Sequence, residues 1–307
     1  MKYPPVAIAT ALATGIGTAL AGCPFSSAGT DIDMPDDDAH AHNGAGRQQL
    51  RGRRLASLHE DEPTQKKMAD IIERRTRKNE ERQNRRLQDV SLCVSNGTYD
   101  DIDADVADLA AAIGVPEDRS HFLGGILRLA AHDFMDFDRS AVPAMGQLNL
   151  GPDGCLDLAH EANAGLSDLW CNTCQLTLLY QGAYSFMSRA DFWVAAANAV
   201  VRQTSGNGLD LRSTYLWGRQ DRDFGTCAES SNRLPEANQC SEVEETFLDR
   251  MGMTWTEAVA LIGAHTLGRG DENFSGHDGI WVDTVEESLV SSVDVHEHQR
   301  LVHQVCI

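Results

Sequence analysis

The 307-residue sequence predicts a mainly α-helical domain, and three features carry that expectation. Apolar residues recur at helical spacing over residues 105–114 and 121–133. Two further segments open with capping-box patterns: Ser188-Arg-Ala-Asp191 before an apolar run through Val201, and Thr254-Trp-Thr-Glu257 before a run that reaches His265. Alternating apolar and polar stretches of the kind that make half-buried strands are nearly absent.

Taken in order, Met1-Lys2 and the apolar run at 6–21, with its small-residue exit, read as a secretory signal over 1–22, so a secreted, extracellular protein is expected. The exit Leu20-Ala21-Gly22-Cys23 also resembles a lipoprotein processing box, in which case Cys23 would carry a lipid anchor. The run is too short and too rich in Gly, Ala and Thr for a transmembrane span, and none is expected. Residues 23–90 read as a disordered or charged pro-segment or linker. Within it, 63–88 carries dense mixed charge and only Met68, Ile71 and Ile72 as an apolar stripe, so any helix there is expected to be solvated and marginal. Organised sequence begins near Ser91 and defines a domain over 91–290. Gly114-Val115-Pro116 breaks its first two helices, and residues 291–307, with His296, His298 and His303, form an atypical tail.

Charge narrows the partners. Residues 88–307 hold 12 Arg and no Lys against 34 acidic side chains, a surface that repels phosphate backbones and excludes a nucleic-acid role. Eight cysteines in an exported chain suggest disulfides, and Cys227 and Cys240, bracketing a polar loop, are the expected local bridge. Cys171-Asn-Thr-Cys174 reads as a redox pair or as half of a zinc site, though no second pair stands at zinc spacing.

Two segments carry chemistry. Arg128-Leu-Ala-Ala-His132-Asp133 puts a guanidinium and an imidazole four residues apart, on one face of an otherwise apolar helix. Burying both is expensive unless something polar faces them. In Gly263-Ala-His265-Thr-Leu-Gly268 a histidine ends an apolar helix beside small residues that admit a flat ligand, which suits an axial haem ligand. Each alone reads first as a structural histidine.

Together they resemble the distal and proximal helices of the plant, fungal and bacterial haem peroxidase superfamily, in its cytochrome c peroxidase-like and lignin peroxidase-like branches. Further matches follow in family order: Gly151-Pro-Asp153-Gly154, Asn163-Ala-Gly-Leu166, Ser188-Arg-Ala-Asp191-Phe, Gly218-Arg219-Gln-Asp221, Arg233-Leu-Pro235 and Ser275-Gly-His-Asp-Gly-Ile-Trp281. The likeness runs from about Ser91 to Asp283. It implies the helical peroxidase fold, with haem b held between distal and proximal halves and the C-terminal portion truncated. It implies a peroxidase that reduces hydrogen peroxide while oxidising a small donor, phenolic by default, in a response to oxidative stress, and a monomer. His265 would ligate the haem iron and Trp281 would stack near it. His132 would be the acid/base, Arg128 the stabiliser of developing charge, and Asn163 the partner that fixes the His132 tautomer, with Asp157 continuing that chain. Asp133, Gly151 and Asp153 would offer oxygens to calcium, and Thr266 would be the first ligand of a second cation site.

The sequence departs from this family in three places. Ala131 stands where an aromatic residue usually precedes the distal histidine, and Cys155 stands where the calcium loop offers an oxygen. The family's proximal aspartate, partner of the axial histidine, lies beyond the matched region and has no counterpart. The alternative expectation is therefore a catalytically inactive haem-binding or structural remnant. A third reading is a helical metal-binding protein that uses the His-rich tail and Cys171/Cys174.

Overall fold

The computed structural model describes residues 62–86, 96–140, 151–205, 209–223, 227, 233–235, 240–270 and 279–280. Its elements are α1 (Glu62–Arg86), α2 (Asn96–Ala112), α3 (Pro116–Phe134), α4 (Gln175–Leu179, continued by a wide turn Tyr180–Tyr184), α5 (Arg189–Thr204), α6 (Cys240–Val243, continued by Glu244–Arg250) and α7 (Trp255–Ile262, tightening into Gly263–Thr266). Arg269–Gly270 and Gly279–Ile280 form a minimal antiparallel pair, β1 and β2. The mainly helical expectation holds.

α5 is the centre. Fourteen of its sixteen residues are buried, from Arg189 to Thr204, because apolar residues cover every face; a helix of that kind can only sit inside. α2 packs along one side of it and α3 along another. Trp170 meets Trp193 of α5 edge-on, with ring centroids 5.0 Å apart. Ser188 caps α5 by accepting from the Asp191 N–H, and Asp221 takes the N–H groups of Arg189 and Ala190. Asp191 in turn pairs with Arg219 at 2.9 Å and accepts from the Gly218 N–H. The Ser188 and Gly218 motifs are thus two halves of one helix-end clamp. Arg189 extends it to the distal loop by donating to the Gly154 and Arg222 carbonyls.

α1 departs from expectation. The stretch expected to be solvated is a 25-residue helix packed on α2 and α4. Met68 is buried, and Arg75 reaches Asp101 at 2.8 Å and Asp105 at 2.5 Å. Burial pushes the Asp105 carboxyl upward, and Arg75 and the Tyr184 hydroxyl, donating at 2.6 Å, offset that cost. Arg75 thus adds to the docking of the apolar stripe, in which Met68 joins the core and Ile71 and Ile72 pack against it, and Asn79 donates to the Ala183 carbonyl at 2.7 Å.

The expected Cys227–Cys240 bridge is corrected: Cys227 pairs with Cys155, across a sequence separation of 72. The reason is tertiary, since Arg189 and Arg222 hold the 151–155 loop against 221–223 and bring the two sulfurs together. Closing a loop of that length contributes about 4 kcal/mol by restricting the unfolded chain. Cys171 pairs with Cys174. The 1–22 stretch expected to be a secretory signal, most of the 23–90 segment, Trp281 and the 291–307 tail lie outside the described residues. Among the described residues no helix is long and apolar enough to cross a membrane.

Candidate active site

α3 begins with Pro116 at its first turn, followed by Glu117 and Asp118, which suit the positive helix end. Its buried face holds Phe122, Leu123, Ile126, Leu129 and Ala130, which turns Arg128 and His132 together onto the adjoining face. The Arg128 guanidinium is locked by two backbone carbonyls, donating from Nη1 to Ala164 at 2.7 Å and from Nη2 to Ala162 at 3.0 Å. Its Nε points at His132 Nε2, 3.4 Å away.

The 160–164 segment that supplies those carbonyls also supplies Asn163, which is completely buried. Asn163 donates from Nδ2 to the Asp157 carbonyl at 2.7 Å, which orients its Oδ1 toward His132 Nδ1 at 2.8 Å. An amide oxygen can only accept, so His132 carries its proton on Nδ1 and presents a lone pair at Nε2. Burial, then the neighbouring Arg128 charge, pushes the His132 pKa down to about 3, so the ring is a neutral base across the physiological range. Asp157 does continue the chain, but through its backbone oxygen; its carboxylate instead accepts from the Ala159 N–H. A side chain two residues from a free N–H is captured locally, which sequence spacing alone did not reveal.

On the other side, Thr254 and Glu257 form the expected capping box and start α7. The helix tightens at Gly263, so the His265 Nδ1–H meets the Ile262 carbonyl at 2.9 Å and leaves Nε2 free to coordinate. Crowding by neighbouring atoms holds the His265 pKa below its ordinary value, and the residue keeps a solvent-exposed surface. The Arg128 charge acts on His265, and His265 acts on His132, so the three groups lie within electrostatic reach of one another. The two halves meet at glycines: Gly268, at φ +101°, donates its N–H to Ser120 Oγ at 3.1 Å, and a Cβ on Gly124 would lie 2.9 Å from the Gly268 Cα.

The expected calcium ligands are placed differently from one another. Both oxygens of Asp133 accept backbone N–H groups, from Gly154 and Cys155 at 2.9 Å. Gly151 turns its N–H onto Asp136, and the Thr266 hydroxyl donates to the Gly263 carbonyl at 2.9 Å. Among the described residues no cluster of three or more His, Cys, Asp or Glu is arranged to hold a metal. Asp136 and Asp153 are instead buried acids: desolvation and mutual repulsion push Asp136 up to about 8, and burial pushes Asp153 up to about 7.

Sequence reasoning missed the Ala162 and Ala164 carbonyls, which leave no residue-type signal, and Asp136. It also missed the Gly124–Gly268 approach, although a Gly124-Gly125 pair inside a helix was a visible sign of close packing.

Comparison with known proteins adds to this geometry. A family model described as Peroxidase matches residues 106–300, beyond the Asp283 at which the motif resemblance ends. The chain is 30% identical over 171 residues to a mitochondrial cytochrome c peroxidase of Candida albicans, covering 54% of this chain and 43% of that protein. It is 34% identical over 122 residues to the corresponding protein of Aspergillus fumigatus, covering 40% and 31%. A cytosolic L-ascorbate peroxidase 2 of Oryza sativa subsp. japonica is 33% identical over 161 residues, covering 51% and 57%. The chain thus spans less than two thirds of the length of each of these relatives.

Proposed function

Because the chain belongs to the haem peroxidase superfamily, we propose that it reduces hydrogen peroxide at haem b, held between α3 and the end of α7, and oxidises a small organic donor. The observation that carries this reading is the chain Asp157 carbonyl, Asn163, His132, flanked by a locked Arg128 and facing His265.

The residues fit haem: His265 is neutral, accessible, and has Nε2 uncommitted once Nδ1 is bonded to Ile262. When bound there, haem supplies the redox centre for peroxide and donor. His132 Nε2 takes a proton from hydrogen peroxide and returns it to the departing oxygen, so that water leaves. Asn163 holds the tautomer this needs. Arg128, fixed before substrate arrives, stabilises the negative charge that develops as the O–O bond breaks. For calcium the residues point both ways: Asp133 accepts two backbone N–H groups and Cys155 is in a disulfide, while both carboxylate oxygens of Asp153 and one of Asp136 are buried without a hydrogen-bond partner among the described residues.

The donor is a phenol by family resemblance, while the relatives' names point to cytochrome c and ascorbate. Export through the 1–22 leader belongs to the same proposal, supported by the Met1-Lys2 charge and apolar run. A mature N-terminus at Gly22 or Cys23 checks it. One observation favours a second reading, the non-catalytic haem binder. The His265 Nδ1–H meets a neutral carbonyl, a weaker acceptor than a carboxylate, so the imidazole donates less to iron.

Reconstitution with haem tests both. The peroxidase reading expects a Soret band that shifts on adding peroxide and turnover with a phenol, ascorbate or reduced cytochrome c. The second expects a band without a shift. His265→Ala removes the band if the axial assignment is right; a band that survives refutes it.

A further inference from the structure

We propose that Cys171–Cys174 is a thiol–disulfide exchange site, opened by a dithiol reductant without disturbing the fold. Nothing in the peroxide chemistry uses this pair, and the proposal does not depend on haem.

A structural staple gains its value from the length of chain it closes. Cys155–Cys227 spans a separation of 72; Cys171–Cys174 spans 3. Moreover, the short turn is already closed without the bridge, because the Cys174 N–H donates to the Cys171 carbonyl at 3.0 Å and the Cys174 carbonyl accepts from Leu178 at 2.9 Å. The backbone therefore keeps the two cysteines adjacent whether or not their sulfurs are joined, which favours rapid reclosure.

The two sulfurs also differ in the way exchange requires. Cys171 lies on a turn with Asn172 and Thr173 exposed, its Sγ 3.5 Å from Thr173 Oγ1 at the surface. Cys174 is 7% exposed and covered, its Sγ 3.3 Å from the Asp168 carbonyl oxygen and 3.5 Å from that of Ser167. Attack is open at Cys171, and a Cys174 thiol would find acceptors already beside it.

The step balances as follows. A thiolate of the dithiol attacks Cys171 Sγ, the Cys171–Cys174 bond breaks, and Cys174 leaves as a thiolate that takes a proton. The second thiol of the reductant then attacks its own sulfur in the mixed disulfide and releases Cys171. The chain gains two electrons and two protons, and the dithiol becomes a cyclic or intramolecular disulfide. Reoxidation is the reverse, by a disulfide.

The test is a titration of the full chain with reduced and oxidised dithiothreitol, followed by alkylation and peptide mass spectrometry. Expected is opening of Cys171–Cys174 at a ratio of reduced to oxidised reagent at least about tenfold lower than Cys155–Cys227, with helical circular dichroism unchanged. In Cys174→Ser, Cys171 should form a trapped mixed disulfide with oxidised glutathione. Equal opening of both bridges, opening only as helicity is lost, or an unreactive Cys171 in that variant overturns the proposal.

Discussion

Asn163→Ala is the most informative single change. The fully buried Asn163 side chain bonds the Asp157 carbonyl and His132 Nδ1. Truncation leaves the His132 Nδ1–H without its acceptor, at about 1–3 kcal/mol, while the Asp157 carbonyl keeps the His160 N–H at 3.2 Å, so a loss of about 2 kcal/mol is expected. For a domain of this size that is a fall of roughly 4–8 °C in Tm, readable by a thermal melt of the haem-free protein. The functional effect is separable. Without an acceptor at Nδ1 the His132 proton is free to move to Nε2, where the ring can no longer take a proton. Haem should still bind, because His265 is untouched, while the rate of the peroxide-induced Soret shift falls about 10–100-fold. Asn163→Asp sharpens the point: it keeps an acceptor for His132 but sets an oxygen against the Asp157 carbonyl, so it should recover rate better than stability. An alanine variant with unchanged shift kinetics would show that the Asp157–Asn163–His132 chain is packing and no more.

Gly124→Ala places a methyl against the Gly268 backbone, at 2.9 Å from its Cα and 3.0 Å from the Leu267 carbonyl. Backbone cannot swing aside, so a loss of about 1–3 kcal/mol and weaker haem retention are expected in a denaturant melt and a haem-transfer assay; Gly114→Ala, with nothing within 4 Å, is the control. The buried acids Asp136 and Asp153 make stability pH-dependent. Both have folded pKa values raised above the unfolded value, to about 8 and about 7, so their contribution is complete below pH 4 and is lost as pH rises through 7 and 8. Asp136→Asn should flatten that decline in urea melts, and added calcium should leave it unchanged; a calcium-dependent rise in Tm at pH 8 would mean these carboxylates form a cation shell after all.

The sequence by itself determined the helical class, the two histidine segments and their register. These properties are local: 3.6-residue periodicity places Arg128 beside His132, and the Thr254/Glu257 box sets where the His265 helix begins. The Ser188 and Gly218 motifs were legible as motifs, but their shared task, clamping the N-terminal end of α5, emerged only when the chain was folded.

Tertiary structure alone decided the rest, because it depended on pairings between distant residues that composition does not encode. Arg75 finding Asp105 turned a charged stretch into a docked helix. Arg189 gripping the Gly154 carbonyl brought Cys155 to Cys227 rather than leaving Cys227 to its nearer neighbour in sequence. Arg128 is held by main-chain oxygens of Ala162 and Ala164, groups every residue possesses and whose position only the fold fixes. The protonation state of His132 likewise follows from burial beside a cation, a property of the assembled fold and not of the residue.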